Sequence, residues 1–325
     1  SPRDAATMLQ LMYLYFTAPR VDSSAFLAYQ ARMKALLANR SASPSAAYAD
    51  TVAVTLYQHQ PRVLPFTSAT YDRMNLGASL AFYRTRFADA RDFTFVFVGN
   101  IDTTALKPLI ETYIGGLPAR RGSSRWRDTG IDYVRGVVRR TVRQGSDPKS
   151  STDIIFSGPV RFDRQTVYEL SALQDVLEIR LRQRLREQLG GTYGVGVNAS
   201  AVHYPRERYE VAISFGSSPD RVDELVRAAN EELDSIKAYG PSASDLAKVK
   251  ETELRERETN LRTNGFWLSL LQSYLYNDWD LGDIPDYAAN VRRLDAVRVR
   301  DAARRYLDDR NVVQVSLFPE VGTRR

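Results

Sequence analysis

The chain has no cysteine among its 325 residues. Disulfides, thiolate metal sites and a cysteine nucleophile are thereby excluded. Histidine is almost as scarce, with only His59 and His203. They are far apart in the chain, and neither has a second histidine and an acid at the spacing of His-Glu-x-x-His or its inverse, His-x-x-Glu-His. Each reads as a surface or internally satisfied histidine, so no metal ligands are expected in this chain. Long apolar runs are also missing. The longest, Phe93 to Val98, has the length of a strand, against roughly 20 residues for a membrane-crossing helix, so no membrane span is expected. The chain opens on Ser1-Pro2-Arg3-Asp4 and runs straight into a helical pattern rather than a secretory leader. No block of one charge sign stands out. The 45 basic and 39 acidic residues leave a net charge of +6, and the basic ones are spread along predicted helices. Nucleic-acid binding calls for a basic stripe with interleaved aromatics; none is visible, and no nucleic-acid partner is expected.

What is present is an ordinary globular composition, 43% apolar and 26% charged, in a chain long enough for about two domains. The most informative stretch is Leu185-Arg-Glu-Gln-Leu-Gly-Gly-Thr-Tyr193. Upstream, Val167, Leu170, Leu173, Leu177, Leu181 and Leu185 recur at spacings of three and four, the apolar stripe of an amphipathic helix. Gly190 and Gly191 follow where a helix commonly ends on a left-handed residue. Beyond them Tyr193, Val195 and Val197 alternate with Gly194 and Gly196, predicting a strand with one bulky and one bare face. Arg186 is thus expected in the last helical turn and Tyr193 at the mouth of a strand. The glycines superficially suggest a phosphate loop, but such loops lead from strand to helix, and this one leads from helix to strand.

Helices are predicted at 4–17 (Asp4 near its start), from Ser23 or Ser24 to about 39, from Pro44 through Leu56, at 76–87, and from Asp102 to Gly115-Gly116, with a strand at 93–98. A linker is expected at 118–133, where Pro118, Gly122, Ser123 and Ser124 mix with arginines. Strands near 134–143 and 152–158 follow, then the long helix, the strand at 193–200 and another carrying Tyr209, Val211, Ile213 and Phe215. Helices are predicted at 219–238, 242–263, 265–277, 284–292 and 295–308, and a last strand from Val312 to Leu317.

A repeat is visible. Arg86-Phe-Ala-Asp-Ala-Arg-Asp precedes Phe93-Thr-Phe-Val as Arg305-Tyr-Leu-Asp-Asp-Arg-Asn precedes Val312-Val-Gln-Val. Ser1-Pro-Arg-Asp opens a helix as Ser218-Pro-Asp-Arg does, at nearly the same offset. Two copies of one α+β unit are implied, and the register places roughly 85 residues of the first copy upstream of Ser1. The expected division is a truncated first domain at 1–120, mostly helical, and a complete second domain at 134–325.

Chemically, a tyrosine hydroxyl can donate to a carbonyl oxygen that gains negative charge during acyl attack. An arginine fork grips a carbonyl or carboxylate, and bare glycines let an extended peptide approach. On spacing alone the plainer roles are favoured: Arg186 satisfying helix C-terminal carbonyls and Tyr193 serving as an ordinary strand aromatic.

The 185–193 stretch resembles the Leu-Arg-x-x-Glu-Gln-Leu-Gly-Tyr signature of the C-terminal half of insulinase/pitrilysin (M16) zinc peptidases. Arg186 and Tyr193 keep the family's separation, although one residue is missing before the Glu-Gln pair and Gly-Thr is inserted before the tyrosine. Thr17-Ala-Pro-Arg20, Leu56-Tyr57, His59-Gln-Pro-Arg62 and Phe93-Thr-Phe-Val-Phe-Val-Gly-Asn-Ile-Asp102 extend the likeness over the whole chain, toward the family's periplasmic zinc proteases of Gram-negative bacteria. The resemblance implies two tandem M16-type (LuxS/metallohydrolase-like) α+β domains, the third and fourth of a clamshell, each an antiparallel sheet flanked by helices. The third would lack its opening strands. It implies zinc held by the missing N-terminal half and no cofactor here. Arg186 and Tyr193 would act as catalytic and substrate-binding residues, with Gly194 and Gly196 beside the substrate and water activated by the zinc attacking the peptide carbonyl. The implied partners are a peptide or unfolded protein substrate and the N-terminal zinc-bearing half. A non-catalytic M16-like scaffold and the metal-free subunit of a two-chain peptidase are the competing expectations.

Overall fold

The computed structural model describes residues 2–119 and 126–320. In chain order the α-helices before the sheet are α1 (Ala5–Thr17), α2 (Ser23–Ala38), α3 (Pro44–Leu56), α4 (Ser68–Asp72), α5 (Leu76–Arg86) and α6 (Thr103–Tyr113). Then come β1 (Val137–Arg143), β2 (Ser150–Pro159), α7 (Arg164–Leu181), β3 (Val195–Val202) and β4 (Arg208–Ser217). The chain continues through α8 (Val222–Tyr239), α9 (Ala243–Asn260), α10 (Asn264–Tyr276), α11 (Tyr287–Arg293) and α12 (Ala296–Tyr306) to β5 (Val312–Phe318).

Helix starts follow side-chain chemistry. Ser43 accepts from the Ala46 amide with Pro44 at the first helical position, Asn75 accepts from Ala78, and Asp102 accepts from Thr104 and Ala105. Asp163 and Asp295 do the same for α7 and α12. Each cap satisfies an amide that the helix leaves unpaired. At α2 the cap is Asp22, whose carboxylate accepts from Ala25 at 2.9 Å, rather than Ser23 or Ser24; Asp4 makes no side-chain cap on α1.

The chain divides into two compact units that interleave in sequence: 1–38, 66–126 and 258–284 in one, and 39–65, 127–257 and 285–325 in the other. This differs from the contiguous division at 1–120 and 134–325. The physical reason is visible in α3. Tyr48, Val52 and Leu56 form its apolar face and pack with Ile155, Val313, Val315 and Tyr133, and the Tyr48 hydroxyl donates to the Val315 carbonyl at 3.1 Å. Of the expected linker, 120–125 lie outside the described residues.

In the first unit, 93–98 is extended but joins no ladder among the described residues, so the strand expected there is not found. Ring packing holds it instead: Phe93 lies 4.9 Å from Phe16 and 5.3 Å from Phe87, centroid to centroid. A strand needs a neighbour for its backbone groups, and this segment has none among the described residues.

The second unit is built on a sheet of order β1-β5-β2-β4-β3. It is mixed rather than antiparallel, because β5 returns from the helical layer to lie parallel to β1 while pairing antiparallel with β2. One face is covered by α7, α8 and α12: Ile154, Phe156, Val211 and Ile213 pack with Leu170, Leu173, Leu177, Leu225, Val299 and Tyr306, all buried. The opposite face is covered by α3 over β2 and β5. Over β3 and β4 it is open, with Gly196, Asn198, Ser200, Ser214 and Gly216 exposed.

A carboxyl pair, Glu253 buried and Asp175 half-buried, lies between the helices of this unit. The Tyr168 hydroxyl of α7 donates to Glu253 Oε2 of α9 at 3.0 Å, Tyr287 of α11 stands 3.5 Å from the same oxygen, and among the described residues Glu253 Oε1 has no hydrogen-bond partner. Burial, with the neighbouring Asp175, pushes Glu253 up to about 7. Burial, with the charges of Glu178 and Glu256, pushes Asp175 up to about 6. Arg257, over the Tyr287 ring, is the nearby cation. Both carboxyls therefore hold their protons more tightly folded than unfolded. Stability is fully present below their unfolded values of 4.5 and 3.8 and is lost as pH rises through about 6 to 7. Denaturation at pH 5 and pH 8 is expected to show the acid condition more stable by about 1–3 kcal/mol. Glu253→Gln is expected to flatten that slope.

Candidate functional site

The leucine stripe of α7 is buried from Leu170 to Leu185, as the sequence spacing predicts. The helix does not end as an α-helix, however. Residues Arg182–Gln188 form a π-helical turn, a widening that frequently marks functional positions. Gly190, at φ +59°, ends it, and the Gly191 amide returns to the Leu185 carbonyl at 3.0 Å. That bond folds the following residues back onto the turn that carries Arg186. A Cβ on Gly191 would come within 2.5 Å of the Leu225 side chain, so a larger residue there would require the buried Leu225 to shift. From below, the Arg221 guanidinium donates to the Leu189 carbonyl at 3.1 Å and is itself gripped by Glu224.

Arg186 is exposed on this turn. Among the described residues its side chain makes no hydrogen bond or ion pair, whereas nearby arginines before it are engaged: Arg180 with Glu232 and Asp245, and Arg184 with Glu231. Its guanidinium is therefore available to an incoming carbonyl or carboxylate.

Tyr193 is 100% exposed, while Val195 and Val197 are buried. The expected shared face of these three is thus corrected: β3 begins at Val195, and Tyr193 sits in a bend before it. The bend is closed by Thr192, whose buried hydroxyl donates to the Gly194 carbonyl at 2.8 Å and accepts from the Gly194 amide at 3.2 Å. These bonds bracket Tyr193 and leave its ring pointing into solvent. Gly194 and Gly196 are both exposed, and a Cβ on either would meet nothing within 4 Å, so space is open beside the tyrosine. The sequence alone does not single out Thr192 or Arg221. Thr192 carries one signal, as half of the Gly-Thr insertion.

Matched against known protein families, residues 73–253 fit the model described as the peptidase M16 inactive domain. The chain belongs to the peptidase M16 family. This M16 chain is 25% identical over 302 residues to a "Zinc protease PQQL-like" of Arabidopsis thaliana, covering 86% of the chain and 31% of that relative. It is 27% identical over 241 residues to the "Probable zinc protease PqqL" of Escherichia coli strain K12, covering 69% of the chain and 24% of that protein. The chain therefore spans only a fraction of the length of the relatives it matches. In fold it is similar to the crystal structure of the periplasmic protease PqqL from Escherichia coli, with a TM-score of 0.85 at 21% identity over 98% of this chain and 35% of that one.

Zinc is the metal these relatives' names imply. Among the described residues no three His, Cys, Asp or Glu side chains converge as a ligand set. No helix among the described residues is long and apolar enough to cross a membrane.

Proposed function

We propose that this chain is the metal-free part of a zinc-dependent endopeptidase and that it grips the peptide substrate at Arg186 and Tyr193. The observation that carries the reading is an unengaged guanidinium on the π-helical turn together with a fully exposed phenol in the bend that follows it. Arg186 donates from its planar fork to a backbone carbonyl of the substrate. Tyr193 donates from its hydroxyl to the carbonyl oxygen under attack, where negative charge builds in the transition state. Gly194 and Gly196 leave room for the extended substrate backbone. Zinc, held elsewhere in the complete protein, supplies the activated water. The working site is an enclosed chamber formed with the zinc-bearing half, in the periplasm of a Gram-negative bacterium. The fold likeness to the Escherichia coli PqqL, a periplasmic protease, supports that setting.

The apolar face of α1 fits the same reading. Met8, Leu11 and Tyr15 are exposed, and exposed apolar surface of this kind marks a site meant to be covered. Further strands of the complete protein covering it would give two tandem M16-type domains.

The test compares the isolated chain with the complete protein. The chain alone is expected to bind no stoichiometric zinc and to cleave no peptide, while the complete protein does both. Zinc-dependent cleavage by the isolated chain would overturn the assignment.

A further inference from the structure

The C-terminal end of a helix carries partial negative charge on its last carbonyls and draws a nearby guanidinium onto them. At the end of the Arg182–Gln188 turn three of these carbonyls are taken by the backbone: Arg184 by the Leu189 amide, Leu185 by the Gly191 amide and Arg186 by the Gly190 amide. The Leu189 carbonyl takes its donor from a distant part of the chain. Arg221, in the short turn Pro219–Arg221 that leads into α8, commits two of its donors to the Glu224 carboxylate, Nε to Oε2 and Nη2 to Oε1, both at 2.8 Å. This fork-to-fork pair fixes the plane of the guanidinium and leaves Nη1 to donate to the Leu189 oxygen at 3.1 Å. The role that spacing alone gives Arg186, satisfying the helix end, is thus filled by Arg221. Arg186 stays exposed, without a hydrogen bond or ion pair among the described residues.

We propose that Arg221 is a positioning residue that keeps Arg186 free: by occupying the Leu189 carbonyl, it denies the substrate-gripping guanidinium the helix end onto which it would otherwise fold back. This rests on the reading of Arg186 as a substrate grip and adds to it the device that holds the grip open. Arg186 and Leu189 are three residues apart on one turn and are therefore neighbours on its surface, within reach of a long arginine side chain bonding a terminal carbonyl. A folded-back Arg186 has its donors committed to the protein, and an incoming substrate carbonyl must displace it. Glu224 decides which arginine takes the helix end. Its carboxylate orients Arg221 in advance, whereas Arg186 would have to order a free side chain to make the same bond. Tyr193 stands outside this competition, because its bend is closed by Thr192. Loss of Arg221 therefore bears on the guanidinium and spares the phenol.

A double-mutant cycle in the complete protein, read by steady-state kinetics with a fluorogenic peptide, tests this. Arg221→Met keeps the aliphatic stem and removes the donors. It is expected to raise KM about tenfold, the worth of one charged hydrogen bond, with kcat nearly unchanged, as Arg186→Ala does. The double variant is expected to match Arg186→Ala alone, since the grip is lost only once. Arg221→Lys, which restores a charged donor for the Leu189 carbonyl, is expected to bring KM back toward that of the parent. A merely structural Arg221 would instead loosen the whole turn, lower kcat through Tyr193 and multiply with Arg186→Ala. Arg221→Gln, which keeps a polar head beside Glu224 but no charge, repeats the cycle should the methionine variant fail to fold. A crystal structure of the complete Arg221→Met protein is expected to show the Arg186 guanidinium on the Leu189 carbonyl. Arg186 still unengaged there would overturn the proposal, as would an Arg221→Met KM equal to the parent's while Arg186→Ala raises it, or effects that multiply in the double variant. Failure of the grip reading looks different: Arg186→Ala then leaves KM unchanged, and the crystal structure by itself decides whether Arg186 has folded back.

Discussion

Tyr193→Phe in the complete protein is expected to lower turnover by about 10²–10³ and to leave thermal stability unchanged. The two halves of that expectation have separate physical causes. The ring is fully exposed and packs nothing, and no hydrogen bond among the described residues uses its hydroxyl, so removing the oxygen costs the fold nothing. The loss falls on the transition state, because a hydroxyl aimed at a developing oxyanion strengthens as charge builds and contributes little to the bound ground state. The expected pattern is a fall in kcat with little change in KM. Arg186, holding a carbonyl in both states, is expected to act on KM instead. Steady-state kinetics with a fluorogenic peptide distinguishes the two. Unchanged turnover in Tyr193→Phe removes the catalytic role assigned to the phenol.

Leu185→Ala is expected to cost about 2–5 kcal/mol of stability and also to lower turnover. Leu185 is completely buried and is the last residue of the α7 stripe, lying inside the π-helical turn. Its carbonyl receives the Gly191 amide. Truncating the side chain opens a cavity beneath the turn that carries Arg186 and from which Tyr193 is suspended. The site is thus predicted to loosen together with the core. Denaturant unfolding gives the first effect and kinetics below the transition gives the second. Leu170→Ala, buried in the same stripe but farther along the helix from the site, is the comparison: similar destabilisation with less loss of turnover.

Much of this architecture is legible in the sequence because it is periodic. The α7 stripe, the alternation of β4 and the cap at Asp102 all follow from local rules, and the structure places these elements within a few residues of expectation. Three features escape for reasons that are not local. The parallel pairing of β5 with β1 depends on where a distant strand returns. The packing of α3 on the sheet depends on which apolar face is free to receive it. The extended stretch at 93–98 reads as a strand because its composition is strand-like, yet no partner lies beside it among the described residues.

At the candidate site, Arg186 and Tyr193 are visible through spacing and family resemblance, but their surroundings are not. A π-turn has no simple sequence code. The Thr192 hydroxyl is an ordinary threonine until its two bonds to Gly194 are seen. Arg221 is one basic residue among many, and only the fold shows that its guanidinium reaches the Leu189 carbonyl.

The central claim is that the exposed phenol of this chain touches the substrate. A photoreactive benzoyl group carried on the ring at position 193 of the complete protein tests it, with the same group at Tyr239, also highly exposed at 83%, as the control. Illumination with a peptide substrate is expected to cross-link the peptide through position 193 and not through position 239, and mass spectrometry is expected to map the attachment beside the cleaved bond. Equal capture at both positions, or none at 193 while the peptide is still being cleaved, would contradict the account.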